Sequence, residues 1–527
     1  MRGAVNDLLR WLIGHVLVLG GHWSARRAVR RMRGYRQEQR RLHAEYGLSE
    51  AIHPSGLLPE IGDSVSGKSA PEPRRAVTSG TTGQPKEVAY SRGRIRAVQR
   101  AFIGSFLRAY SALKPKRKSF YVLSSLQADQ SLTSLMMEES GRFPPYLSGL
   151  QAPYRVQAHP VFQELEEQFG GTAVRVWVLV LANPGVLYCT NPSTLAAFID
   201  SVGRDWERCR ALLESEQRDR GDWPPALRAC RSRLVSRGAD ERIARLLRLK
   251  GSPGLVEIVP ALEFYSCWDG GHVGVFLERV RRHLEGSSVR HLPMYSMSTE
   301  VIATQPVFRE EELVFLPMAP KVRYEFLPLG AEAAPSALLE AWELEEGTEY
   351  VMVVSNAYGL RRYLTDDVFL CQRCLSEFGL PDLRFRRRQG LAWSFTGEKL
   401  TGAQVQEALN KLRSASAEDL DCEWMSLVPT THGGDKSPGY LLLVVGPQSA
   451  VPSGLARTLD THLEGLNLEY SSKLGSGRLS PTEALGVSLP DFVAWAGGER
   501  QRQSWENQFK FSPLVPKLWD CEPHCDS

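Results

Sequence analysis

Thr78-Ser79-Gly80-Thr81-Thr82-Gly83-Gln84-Pro85-Lys86 is the stretch on which the reading of the fold turns. It lies between two short β-prone runs, Arg75–Val77 and Glu87–Tyr90. Gly80 and Gly83 let the backbone turn tightly and aim N–H groups at a ligand that side chains would otherwise block. The hydroxyls of Ser79, Thr81 and Thr82 add donors, and Lys86 adds positive charge. That set is what a polyphosphate needs. The Gly-x4-Gly-Lys-Ser/Thr spacing of a Walker loop is absent. A polar surface turn also uses Ser, Thr and Gly, but nine such residues ending in Pro-Lys are a rarer combination, and phosphate binding is the reading adopted.

The chain has 527 residues, 43% of them apolar, 24% charged and 9% aromatic. Those values exclude a disordered tail, a collagen-like repeat and a small disulfide scaffold. Single cores stop growing near roughly 250–300 residues, so more than one domain is expected. With 64 basic against 60 acidic residues, the charge is too near neutral for a nucleic-acid binder. Nine cysteines are few and odd in number, which points to reduced thiols in a cytoplasm.

The apolar stretch Trp11 to Gly21 contains His15 and falls short of the roughly 18 residues that cross a bilayer. Its length would suit the core of a signal peptide, but Asp7 disturbs the leading region and no clean small-x-small cleavage site follows. Leu8, Leu9, Trp11, Leu12 and Val16 recur at helical spacing, and an arginine-dense run (Arg26, Arg27, Arg30, Arg31, Arg33, Arg36, Arg40, Arg41) comes next. Peripheral contact with an anionic membrane is one use of such a helix. A solvated face packed on the domain is the reading preferred.

Residues 52–75 read as loop. Thr172 to Cys189 reads as β, with Val174, Val176 and Val178 alternating. A helix is expected from Pro192 through Trp206, capped by Asn191 or Ser193, and residues 207–250 read as charged helix. Short apolar runs follow at Val256–Ile258, Phe264–Ser266 and Val273–Phe276. Paired strands are expected at Tyr350–Ser355 and Val368–Leu370. From Pro381 a smaller α/β unit begins, with a helix over 402–415 and a strand over 439–445. Alternating helix and strand signals point to α/β layers.

The 78–86 string resembles the phosphate loop of the adenylate-forming superfamily, which includes acyl-CoA synthetases, luciferases and peptide-synthetase adenylation domains. Further ordered stretches resemble its Gretchen Hagen-type branch, the auxin-responsive acyl-acid amido synthetases. Tyr295-Ser296-Met297-Ser298-Thr299-Glu300 is similar to the Thr/Ser-Glu motif, one residue longer in spacing. That match implies Thr299 on the nucleotide phosphate and Glu300 as the protein ligand of Mg²⁺, for which one carboxylate beside phosphate oxygens is sufficient. Tyr350 to Tyr363, running into Thr365-Asp366-Asp367-Val368, resembles the branch's strand and its Gly-Asp-Val-Val. It implies Asp367 on the ATP ribose, with Asp366 in place of the usual glycine as a possible substitute.

Glu325-Phe326-Leu327-Pro328 and Phe385-Arg386-Arg387-Arg388 match two more stretches, the latter implying Arg388 on phosphate or ribose oxygens, which its planar fork suits. Asn507-Gln508-Phe509-Lys510 resembles Asn-Gln-Tyr-Lys, with Lys510 as the catalytic lysine.

The resemblance implies an α/β fold. A large N-terminal adenylate-forming domain of mixed sheets and helices (1–388) precedes a smaller, mobile C-terminal α/β domain (389–527) that carries the lysine. It implies ATP and Mg²⁺ as cofactors, a small carboxylic acid and an amino acid or other amine as substrates, and an amide as product. Acyl-CoA ligation by the same first step is the alternative; a catalytically inactive, membrane-apposed protein is the reading of another class. Cys371-x-x-Cys374 with Cys521, His524 and Cys525 does not make a standard zinc spacing. His22, His159 and His291 read as ordinary histidines. Tyr154, Trp177 and Trp268 are aromatic candidates for the wall of an acid pocket.

Overall fold

A computed structural model describes residues 2–48, 51–53, 74–77, 87–116, 119–123, 132, 135–136, 160–189, 192–270, 274–294, 300–309, 312–388, 392–393, 395, 398, 400–415, 422–431, 438–446, 451–475, 479–497, 511–515 and 517–519. Cα proximity divides the chain into two compact units. The first is built from residues before Arg386, and the second from Arg386 onward with Asp366–Val368 counted in it.

The first unit opens with two helices, α1 (Arg2–Arg33) and α2 (Tyr35–Glu45). A hairpin of β1 (Arg74–Val77) and β2 (Glu87–Tyr90) follows, and then α3 (Arg92–Leu113). Ser91 caps α3 by accepting the Arg94 N–H at 3.2 Å, and Lys114 ends it in the left-handed conformation. Strands β3 (Phe120–Val122), β4 (Val186–Tyr188), β5 (Phe264–Cys267) and β6 (Arg290–Pro293) form a parallel sheet in sequence order. Parallel neighbours require crossovers, and helices supply them, among them Gly171–Ala182, Pro192–Arg204 and Gly274–His283.

Here the structure corrects the sequence reading. Gly171–Ala182 is a helix, not a strand, and β is confined to Val186–Tyr188. Val174, Val178 and Leu181 satisfy helical spacing while Val174, Val176 and Val178 satisfy alternation, and every residue from Ala173 to Ala182 is buried. A helix apolar on all sides belongs in a core, where its Val-rich composition cannot be told from a buried strand. In the same way Leu255–Ile258 is a short helix, and the apolar run at 273–276 leads into Gly274–His283. The helix expected from Pro192 to Trp206 is two: it stops at Arg204, and Trp206–Arg218 begins another.

A hairpin of β7 (Gln305–Arg309) and β8 (Glu312–Leu316) leads to a second sheet of the order β12-β11-β10-β9. Its strands are β9 (Val322–Pro328), β10 (Glu349–Asn356), β11 (Tyr363–Leu375) and β12 (Leu380–Arg388). Tyr324, Phe326, Met352, Val354, Phe369 and Leu383 build its core together with Ala28, Met32 and Tyr35 of the N-terminal helices. Strand β9 lies at the edge, and its outward polar groups are covered rather than exposed. Gln39 Nε2 donates to Val322 O at 3.0 Å, its Oε1 accepts the Tyr324 N–H at 2.9 Å, and Phe326 exchanges both backbone bonds with Leu339.

In the second unit, β15 (Trp424–Thr430) pairs antiparallel with β16 (Gly439–Val445), which pairs parallel with β17 (Glu483–Val487), while β13 (Ala392–Trp393) and β14 (Leu400–Thr401) form a small hairpin. Helices Gly402–Ala415 and Leu455–Leu466 pack Val405, Leu409, Leu459 and Leu463 against Leu427 and Leu442. Tyr440 donates to the buried Glu398 carboxylate at 2.6 Å.

Gln39→Leu removes the partners of Val322 O and the Tyr324 N–H and leaves both buried groups unpaired. At about 1–3 kcal/mol for each group, the expected result is a first unit destabilised by about 2–6 kcal/mol, read as a lower urea midpoint and as faster amide exchange at Tyr324.

Candidate active site

Val77 and Glu87 face each other at the open end of the β1–β2 hairpin, so the nine residues from Thr78 to Lys86 join two paired strand ends. Ser79, Gly80, Thr81, Thr82, Gly83 and Lys86 themselves lie outside the described residues, as do Thr299 and Lys510. Arg388 ends β12, with its side chain also outside them. Glu300 and Asp367 are described, and both are buried.

Glu300 is held through its backbone by an arginine that the sequence reading passed over. Arg94, in the first turn of α3, is 3% exposed. Its Nη2 donates to Glu300 O at 2.8 Å and its Nη1 to Ala89 O at 2.9 Å. The guanidinium sits 4.2 Å from the centre of the Tyr90 ring and 5.5 Å from that of Tyr358. One cation thus ties the β2 strand that follows the glycine-rich stretch to Glu300 and to the turn after β10. Burial pushes the Tyr90 phenol up to about 12, opposed by the Arg94 charge and reinforced by the Glu300 carboxylate. Tyr90 is therefore a neutral hydroxyl at any physiological pH.

The turn between β10 and β11 is built to a fixed shape. Asn356 Oδ1 accepts the N–H groups of Tyr358 (2.8 Å) and Leu360 (3.3 Å). Arg362, at a left-handed φ of 39°, forks onto the buried Glu325 carboxylate with Nε and Nη2 at 3.2 and 3.1 Å. Two-point pairing of this kind orients as well as attracts. Glu325, singled out in the sequence as part of a strand motif, therefore braces the turn.

Asp366 stands at φ 61°, in the left-handed region that glycine favours and aspartate tolerates. The residue that replaces the resembled branch's glycine thus has the backbone conformation a glycine would take, and the next residue, Asp367, is buried in β11.

The remaining candidates separate cleanly. Trp177 is fully buried between Phe162 and Trp223, and its indole N–H donates to Glu216 at 2.9 Å. It is core, not the wall of a pocket. Trp268 packs 5.5 Å from Phe385, and Tyr154 lies outside the described residues. His291 stacks on Tyr265 at 4.9 Å and is pushed down to about 4, by burial first. Cys371 and Cys374 bring their sulfurs to 3.6 Å, and burial raises the Cys371 thiol far above its usual range. Among the described residues no cluster of three metal-ligating side chains occurs, and Cys521, His524 and Cys525 lie outside them. Beyond Lys510, Phe511 packs on Trp424 and Phe492, and Leu427 donates its N–H to Pro513 O at 2.7 Å and accepts from Val515. The stretch that follows the expected lysine is therefore pinned beside β15.

Residues 315–388, from the end of β8 through β12, match the family model of the GH3 family central domain. A putative indole-3-acetic acid-amido synthetase, GH3.10 of Oryza sativa subsp. japonica, is 34% identical over 113 residues, 21% of this chain and 23% of that protein. The indole-3-acetic acid-amido synthetase GH3.8 of Oryza sativa subsp. indica is 24% identical over 343 residues, 60% of this chain and 55% of its own length. The chain thus spans between about a quarter and about half of these curated relatives. Among solved structures, the AtGH3.15 acyl acid amido synthetase in complex with 2,4-DB superposes with a TM-score of 0.64 at 12% identity, covering 86% of this chain and 80% of that one. The chain therefore resembles the GH3-type, adenylate-forming acyl-acid amido synthetases in sequence and has their fold.

Proposed function

We propose that this protein is an ATP-dependent, AMP-forming ligase that activates a carboxylic acid and transfers its acyl group to an amine, most simply an amino acid. The observation that carries the reading is the central-domain match over 315–388, with Asp367 buried directly after a left-handed Asp366 where the resembled branch has glycine. In the first half-reaction a carboxylate oxygen attacks the α-phosphorus of ATP. The bond to the β-phosphate oxygen breaks, and pyrophosphate leaves. In the second, an amine nitrogen attacks the acyl carbon, the bond to AMP breaks, and the amine gives up a proton.

In this proposal residues 78–86 cradle the phosphates with backbone N–H groups, hydroxyls and Lys86, and Thr299 adds a donor. Asp367 accepts from the ribose hydroxyls, and Arg388 holds phosphate or ribose oxygens. Lys510 neutralises charge that develops on the α-phosphate and carboxylate. Glu300 suits Mg²⁺: it is a buried carboxylate with a fixed backbone, and the ion, when bound, would supply charge neutralisation at the phosphates. The domain boundary at 388/389 belongs to the same reading, with the lysine-bearing domain changing position between half-reactions. So does a cytoplasmic location, which all seven described cysteines, present as free thiols, support.

The deciding assay is pyrophosphate release from ATP and Mg²⁺ with pooled carboxylic acids, run with amino acids in one arm and CoA in the other. Acid-dependent release is expected, with the adenylate consumed in the amino-acid arm. Lys510→Ala and Glu300→Gln should each lower it roughly 10²–10³-fold. Consumption only in the CoA arm would convert the reading to a thioester ligase, and absence of both release and ATP binding would end it.

Asp366→Gly and Asp367→Asn separate the two aspartates. The first should leave KM for ATP within about twofold and change stability by at most about 1 kcal/mol. The second, which loses a charged acceptor, should raise KM roughly 10–100-fold. Reversed outcomes would move ribose binding to Asp366.

Arg94→Met should raise the Mg²⁺ concentration for half-maximal activity and lower the turnover roughly tenfold, with Arg94→Lys recovering part of both. A loss of thermal stability without the Mg²⁺ shift would leave Arg94 a packing residue only.

A further inference from the structure

Helix α1 carries an apolar stripe on its outward face. Val5, Leu8, Leu12, Val16, Leu19 and Trp23 recur at spacings of three and four, which places them on one stripe about 80° wide at 100° per residue. All six are exposed, each between 47% and 69%. Over 18 residues at 1.5 Å each, the stripe runs roughly 27 Å.

The opposite face is the one that is docked: Gly21, Ala28 and Met32 are buried there, and Leu17 and Val18 pack against Tyr110, Val186 and Phe264. Asn6 Nδ2 donates to Ser232 O at 2.8 Å and to Val235 O at 2.7 Å, and Asp7 accepts the Arg237 N–H at 3.0 Å. Ser24 donates to Gly104 O at 3.1 Å. Gly21 lies so close to α3 that a Cβ there would come within 2.3 Å of Leu107 O. These contacts hold both ends of the helix and forbid it to roll its apolar stripe inward. Burying six such side chains would be favourable, yet the inward contacts of the helix are made by other residues, Asn6, Leu17, Val18, Gly21 and Ser24 among them.

Charge identifies what the stripe meets. Arg26, Arg27, Arg30 and Arg33 continue the same helix face beyond Trp23, within about 60° of the stripe's centre, and all four are exposed. Arg27 lies 5.5 Å from the Trp23 ring, so aromatic and cation meet at the junction of the apolar and basic segments. The one acid of α1, Asp7, belongs to the docked face. No helix among the described residues is long and apolar enough to cross a membrane. An apolar strip ending in a tryptophan and four arginines, with no carboxylate on that stretch of α1, fits a surface that offers hydrocarbon under anionic headgroups.

We infer that the outward face of α1 is a membrane-docking surface that lies in the plane of an anionic bilayer, with Val5–Trp23 in the acyl boundary and Arg26–Arg33 on the headgroups.

The test is flotation of the full chain with phosphatidylcholine vesicles, with and without phosphatidylserine, at low and high salt. It does not depend on any enzymatic activity. The wild type is expected to float with the anionic vesicles and to be released by salt. The combined variant Leu8→Ser, Leu12→Ser, Val16→Ser should lower partition at least tenfold. Arg26→Gln, Arg27→Gln and Arg30→Gln together should lower it roughly fivefold for each arginine, on anionic vesicles only. Because these side chains are exposed, melting temperatures should match the wild type; if the serine variant melts early, Leu12→Ser alone carries the test with a severalfold loss.

A wild type that floats with no vesicle, or flotation indifferent to both sets, overturns the inference. So does a dimer in sedimentation that the serine variant disperses without any vesicle binding, which would give the stripe to a second copy of the chain.

Discussion

The Arg94 guanidinium is the constraint on which the candidate site rests. Three segments meet on it: the end of β2 through Ala89 O, residue Glu300 through its carbonyl, and the turn after β10 through the Tyr358 ring. A cation buried this deeply is tolerable only because carbonyl oxygens and two ring faces replace its water. The same requirement works in reverse. Segments separated by about 200 residues of chain must stay where the charge is satisfied, or an unpaired buried charge results.

A second constraint of the same kind shapes the central sheet. Edge strand β9 would expose a row of unpaired backbone groups, and Gln39 and Leu339 occupy them. Arg323 pairs with Glu340, and Arg362 forks onto Glu325 across the sheet to fix the turn that leads into β11. These pairings lie within the segment of this chain that matches the GH3 central domain, where they fix backbone shape alongside the apolar core. The left-handed Asp366 shows how such a shape survives a change of residue: aspartate accepts a conformation that most side chains resist.

Legibility followed from how local each signal is. The hairpin bracketing Thr78–Lys86, the strands at Tyr350–Ser355 and Val368–Leu370 and the helix Gly402–Ala415 could be read because turn residues and period fall within a few positions of one another. Glu300 and Asp367 stood out because each belongs to an ordered motif. Arg94 did not. In Arg92-Gly93-Arg94-Ile95-Arg96 it looks like one more solvated charge, yet Arg92, Arg96 and Arg100 are exposed and only Arg94 is buried. Which arginine turns inward depends on carbonyls supplied by residues far away in sequence. Trp177 misled in the opposite direction, because an aromatic in an apolar run fits a ligand wall or a core equally well until its neighbours are known.

By itself, then, the sequence determined the order of its motifs, the α/β alternation and the helical spacing of the N-terminal segment, since all three are properties of near neighbours along the chain. Tertiary structure decided what each periodic face is turned toward. Gly171–Ala182 became a helix because it is enclosed on every side, where both periods are satisfied and only packing chooses. The apolar stripe of α1 faces outward because Asn6, Leu17, Gly21 and Ser24 find their partners on the domain, while Leu8, Leu12 and Leu19 are left exposed. A periodicity says that a helix has two faces; which one is buried is settled by the surface it meets.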